Sequence, residues 1–119
     1  MKDYAIEFEI YEGNAGEAHL DGTYPDFARE GICAWMFGRL AVGKKFRYPD
    51  DLGEMCPWLL DSLMGMVRAL ENGGTLPWSY RGTRYEKVLD PDGVTTEFVR
   101  CPDPTASVVI KITRTALEG

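Results

Sequence analysis

The residues best equipped for chemistry in this chain are three cysteines and its one histidine: Cys33, Cys56, Cys101 and His19. Thiolates and an imidazole are the ligands zinc and iron prefer, so together they would complete a tetrahedral Cys3His site. Their spacing lends this little support, because no Cys-x-x-Cys pair is present and the four lie in four separate segments. Cysteine is among the most buried residue types, and inert core thiols are the favoured reading. Cys56 is the best candidate catalytic thiol, since it stands directly before Pro57 and an apolar helical run, where the helix dipole favours a thiolate. The Glu54 charge beside it works in the opposite direction. An odd number of widely spaced cysteines in a chain whose N-terminus has no apolar signal core argues against a disulfide framework.

A second candidate set is aromatic and basic. Trp58, Trp78 and Tyr80, with Trp35 and Tyr85, are suited to wall a pocket for a planar or hydrophobic ligand, and Arg81 and Arg84 to hold a carboxylate at its mouth. The plainer alternative makes Trp58 and Trp78 core pillars at the two ends of one helix. Asp50, Asp51 and Glu54 offer oxygen ligands for a hard cation or an acid and a base, although a solvated turn explains them as well. His19 lies in a loop of Gly, Glu and Asp, and no Ser-His-Asp arrangement is present.

The elements that must position these residues are partly legible. Tyr4, Ile6, Phe8 and Ile10 alternate with Ala5, Glu7, Glu9 and Tyr11, the period of a strand with one buried face. Residues 12–25 read as a long surface loop, and 27–42 as irregular packed structure interrupted by Gly31 and Gly38. Residues 44–48 suit a brief strand before the turn at Pro49–Gly53. From Pro57 to Asn72, Leu59, Leu60, Leu63, Met64, Met66, Val67 and Leu70 recur at helical spacing. Pro57 fits the first helical turn, Gly73-Gly74 the left-handed cap, and Pro77 prevents resumption. Residues 85–89 and 94–100 form a hairpin around Asp90-Pro91-Asp92-Gly93, in which proline presets one dihedral and glycine takes a positive one. After a turn at 101–105, residues 107–115 return as a further strand, leaving 116–119 as a tail.

At these positions the chain resembles a family of small bacterial and archaeal proteins with no established activity. Their shared pattern is a cysteine, a Gly-x-x-Phe step, a second cysteine near tryptophan, a helix, Gly-Gly, Pro-Trp and a hairpin. The corresponding residues here are Cys33, Gly43 to Phe46, Cys56 with Trp58, Ala69-Leu70, Gly73-Gly74, Pro77-Trp78 and Asp92-Gly93, although Ala34 follows the first cysteine where proline is usual. The resemblance implies a compact α+β domain and no reaction.

With 119 residues, 45% hydrophobic and 27% charged, the chain suits one domain, residues 1–119, able to bury a core without staples. No apolar stretch approaches a membrane span, and acidic residues interrupt the N-terminus at once, so a cytoplasmic protein is expected. A net charge of −6 repels phosphate backbones, which argues against nucleic acid. The expected fold is α+β, an antiparallel sheet of about four strands packed on one main helix. The expected function is a non-catalytic domain binding a small anionic or aromatic ligand or a partner subunit, through Trp58, Trp78, Tyr80, Arg81 and Arg84. The alternative is a small metal- or thiol-dependent enzyme centred on Cys56. A homo-oligomer is a third expectation, with Trp35, Met36 and Phe37 at its interface.

Overall fold

The computed structural model describes residues 3–12, 43–77, 79–102 and 108–117. In β1 (Asp3–Glu12) the period of two turns Ile6, Phe8 and Ile10 to one face, where all three are buried. β4 (Val109–Leu117) pairs antiparallel with it and matches that face residue for residue, Ile110 opposite Ile10, Ile112 opposite Phe8 and Arg114 opposite Ile6. β2 (Lys45–Tyr48) adds to the free side of β1, with Phe46 opposite Phe8, and β3 (Val94–Arg100) adds to the free side of β4. The result is one four-stranded antiparallel sheet in the order β2-β1-β4-β3.

The helix α1 (Pro57–Glu71) covers the apolar face. Leu59, Leu63, Val67 and Leu70 form its buried stripe and join Ile6, Phe8, Ile10, Phe46, Ile110 and Ile112 in a single core. Pro57 occupies the first helical turn, where its missing N–H leaves nothing unpaired. At the other end Gly73 adopts φ +82°, and the Gly73 and Gly74 amides bond back to Leu70 O and Ala69 O at 3.0 and 2.8 Å. This is the two-bond glycine cap that the Gly-Gly pair predicts. A sheet with one helix-covered face is thus the α+β architecture expected from the sequence.

Three local expectations are corrected. Residues 85–89 are not a full strand: Leu89 makes an isolated bridge to Thr95, Thr96 N–H donates to Val88 O at 2.9 Å, and Lys87 N–H turns away to Ser79 O at 2.8 Å. The brief strand at 45–48 supplies the fourth member of the sheet instead. Gly93 does not adopt a positive φ, and a Cβ there would lie 2.6 Å from the Asp90 carboxylate, so a side chain at this position would displace that carboxylate. That carboxylate accepts the Asp92 amide at 3.0 Å and closes the turn. Ala116 and Leu117 are the last residues of β4 rather than a tail. The expected loop at 13–25 and irregular segment at 27–42 lie outside the described residues, apart from Glu12 at the end of β1.

Candidate functional site

The face of the sheet away from α1 carries an aromatic cluster that converges from three segments. Phe98 and Arg100 share this face of β3, and Val109, the cross-strand partner of Arg100, shares it from β4. Tyr11 enters from β1 beside a register shift at Ile10 and Glu12, and its ring stands 4.9 Å from Phe98. Tyr85 comes from the connection between α1 and β3, with its ring 5.5 Å from Phe98 and 6.1 Å from Tyr11. These edge-on and tilted contacts suit the aromatic quadrupole.

Glu12 and Arg84 fasten that connection to the sheet. Arg84 Nη1 lies 2.8 Å from Glu12 Oε1, and its guanidinium sits 5.7 and 5.8 Å from the Tyr11 and Tyr85 rings. The Tyr11 hydroxyl donates to Arg84 O at 2.6 Å, and the Tyr85 hydroxyl donates to Glu12 Oε2. The bond to Glu12 holds the Tyr85 pKa above the ordinary phenol value, reinforced by desolvation and the Glu12 charge and opposed by Arg84 and Arg100. Tyr85 therefore remains a neutral donor at physiological pH.

Between this clasp and the end of β3 lies a groove of about 140 Å³ lined by Tyr80, Tyr85, Phe98, Arg100 and Val109. Tyr80 adopts φ +54°, a left-handed conformation that costs a non-glycine residue on the order of 1–3 kcal/mol. The Thr83 amide and hydroxyl both donate to Tyr80 O, at 3.1 and 2.7 Å, and hold the turn. The Tyr80 side chain is 42% exposed. Arg100 is exposed and, among the described residues, makes no ion pair. The groove thus offers aromatic walls and an uncommitted guanidinium, a combination suited to a planar ligand with a carboxylate. A second, more polar groove of about 360 Å³ lies between β1, β2 and β4, and its one arginine, Arg47, is drawn to Asp51 at 3.7 Å.

The helix side holds three buried charged groups that hydropathy alone does not reveal. Lys87 Nζ pairs with Glu97 Oε1 at 2.5 Å, both side chains are at most 1% exposed, and Lys87 also donates to Leu76 O at 3.3 Å. Arg114, 1% exposed, donates through Nη1 to Leu70 O and Gly74 O at 3.0 and 3.1 Å and through Nη2 to Thr95 Oγ1 at 3.2 Å. Its guanidinium lies 4.5 Å from the Tyr4 ring. A cation on the last carbonyls of α1 offsets the negative end of the helix dipole.

The sequence candidates are distributed as follows. Tyr80 lines the groove, Arg84 fastens its wall, and Arg81 is exposed on the same turn. Trp58 is 40% exposed at the start of α1 and does not line the groove, which corrects the core-pillar reading for that residue. Cys56 is 4% exposed within the core, and Cys101 packs partly buried against it. Trp78, His19, Cys33 and the Trp35–Phe37 surface lie outside the described residues. Among the described residues no group of three or more His, Cys, Asp or Glu side chains is placed to hold a metal ion. Asp51 instead accepts the Arg47 amide at 2.8 Å and closes the turn after β2. Sequence reasoning missed Phe98, Arg100 and Val109, although the period of two assigns the first two to one face.

The fold and this site define an α+β protein with one helix over an antiparallel sheet and an aromatic, arginine-edged groove on the opposite face. Comparison with protein-family models, curated proteins and solved structures gave no match. Among the described residues no helix is long and apolar enough to cross a membrane.

Proposed function

We propose that this protein is a non-catalytic binding domain that receives an anionic group with planar or apolar character in the groove of Tyr80, Tyr85, Phe98 and Arg100. The observation that carries this reading is Arg100, an exposed guanidinium without an ion-pair partner among the described residues, at the end of an aromatic wall. Arg84, by contrast, is committed to Glu12 and acts as a fastener rather than a ligand group. The groove's small volume suits one ring or side chain at a time.

The experiment is a titration with 1-naphthoate followed by its fluorescence. The native protein should bind it, and Phe98→Ala and Arg100→Gln should each weaken binding by roughly tenfold, the scale of one good contact. Unchanged affinity in both variants would remove the groove as the site.

The enzyme reading centred on Cys56 has less support. A nucleophilic thiol must be reachable as well as ionisable, and Cys56 packs among Met55, Leu59 and other apolar residues of the core.

A further inference from the structure

The two edges of the sheet differ in a way that bears on what the groove receives. In an antiparallel ladder, alternate residues direct their backbone groups towards the neighbouring strand and the residues between direct theirs outward. Cys101 N–H donates to Val108 O and Ala116 N–H donates to Gly93 O, which sets the parity of β3. Thr95, Glu97 and Val99 therefore face β4, and Thr96, Phe98 and Arg100 face outward. The Thr96 amide is taken by Val88 O. Among the described residues the outward N–H and C=O of Phe98 and Arg100 have no hydrogen-bond partner. At the opposite edge, on β2, Lys45 and Arg47 face outward, and both backbone groups of Arg47 are engaged, its N–H by the Asp51 carboxylate and its C=O by the Asp51 amide, each at 2.8 Å.

The open stretch is the one that borders the groove. Residues 88–89 run antiparallel beside Thr95 and Thr96, and the chain then leaves the edge, because Lys87 bonds Ser79 and the Arg84 carbonyl is held by Tyr11. Among the described residues, none has its backbone bonded into the place a continuing strand would take beside Phe98 and Arg100.

We propose that this edge accepts an extended acidic peptide segment of another protein, which adds as a short strand beside Phe98 and Arg100 and places a carboxylate on Arg100. The inference rests on the groove reading above and names the occupant of that same site. An unpaired row of N–H and C=O groups is matched by extended backbone, and pockets beside it select alternate side chains. The local charge selects acid: Arg100, which lines the groove, is exposed and unpaired among the described residues, on a protein whose net charge is −6. A second copy of the chain pairing through the same edge would bring its own Arg100 there, like charge against like.

The test is selection from a phage library of random peptides about seven residues long, a typical strand length, against the full-length protein. The best clone is then synthesised with N-methyl groups on either of its two alternating sets of residues. Selected sequences should carry Asp or Glu, and methylation of one set should abolish binding while the other set is tolerated. The Arg100→Glu variant, with folding checked by circular dichroism, should weaken binding at least about tenfold, as loss of a charged contact does. Failure to select any peptide, tolerance of both methylated sets, or indifference to Arg100→Glu would each overturn the proposal. So would sedimentation as a dimer that Arg100→Glu disrupts, which assigns the edge to a second copy. Binding of 1-naphthoate separates the two levels: retained with no peptide selected, strand addition fails and the groove reading stands; absent as well, both fail.

Discussion

Glu12 serves two partners at once, accepting from the Tyr85 hydroxyl on one oxygen and pairing with Arg84 on the other. The Tyr85 pKa is raised chiefly by that bond, and the Tyr48 pKa is raised chiefly by its hydrogen bond to Glu71. An unfolded chain releases phenol protons near the ordinary value of 10.0, while the folded chain retains these two longer. Above that pH the folded state holds more protons than the unfolded one, so stability is full below about pH 10 and falls as pH rises further. Urea unfolding at a series of alkaline pH values should show this decline, and Tyr85→Phe should make it shallower. A second residue-scale expectation concerns Lys87 and Glu97. Lys87→Met or Glu97→Leu alone leaves a buried charge uncompensated and should destabilise by about 3–5 kcal/mol, whereas the double variant should lose far less than the sum. Guanidinium unfolding of all four proteins gives the coupling, and additive losses would mean the charges do not sense one another.

At the scale of elements, α1 and the sheet meet in two different ways. Along most of the helix the contact is apolar, Leu59, Leu63, Val67 and Leu70 against the isoleucines and phenylalanines of β1, β2 and β4. At its C-terminus the contact becomes polar, where Arg114 holds the carbonyls of Leu70 and Gly74. Arg114→Met keeps the volume but leaves those carbonyls and Thr95 without this donor, and should destabilise by about 1.5–3 kcal/mol, the range for hydrogen bonds to a charged group. Thermal unfolding followed by circular dichroism checks it, and a change below about 0.5 kcal/mol, the range of ordinary surface substitutions, would mean water replaces the arginine. The inward Glu97 also belongs to this scale, because a charged residue directed into the core from an edge strand penalises misregistered pairing of that strand.

For the whole molecule, the α+β architecture was legible because its main signals are local. The alternation of Ile6, Phe8 and Ile10, the helical spacing from Leu59 to Leu70 and the Gly73-Gly74 cap all act over a few residues. What escaped was set by contacts distant in sequence. Lys87 and Glu97 are brought together across a turn, and the inward pull on Lys87 helps lift residues 85–87 out of the strand that their composition suggests. Arg114 continues the buried face of Ile110 and Ile112, a position where alternation alone predicts an apolar side chain. The groove was half legible: Tyr80, Tyr85 and Arg84 stood out as an aromatic and basic cluster. Phe98 and Arg100 read only as alternating residues of a strand until the sheet order placed them at an edge.

The unequal edges of the sheet carry a last consequence. Growth by joining sheet edge to sheet edge, as along a fibril, needs each unit to be reactive at both ends, like a bifunctional monomer in polymerisation. Here the β2 end is short, with Arg47 closed by its own Asp51 and Lys45 the one outward residue of that strand whose backbone is unpaired among the described residues, whereas the β3 end presents two in succession, Phe98 and Arg100. The two ends are in that sense of unequal reactivity: the β3 end offers the longer open stretch and β2 a single residue, which disfavours edge pairing that propagates from molecule to molecule.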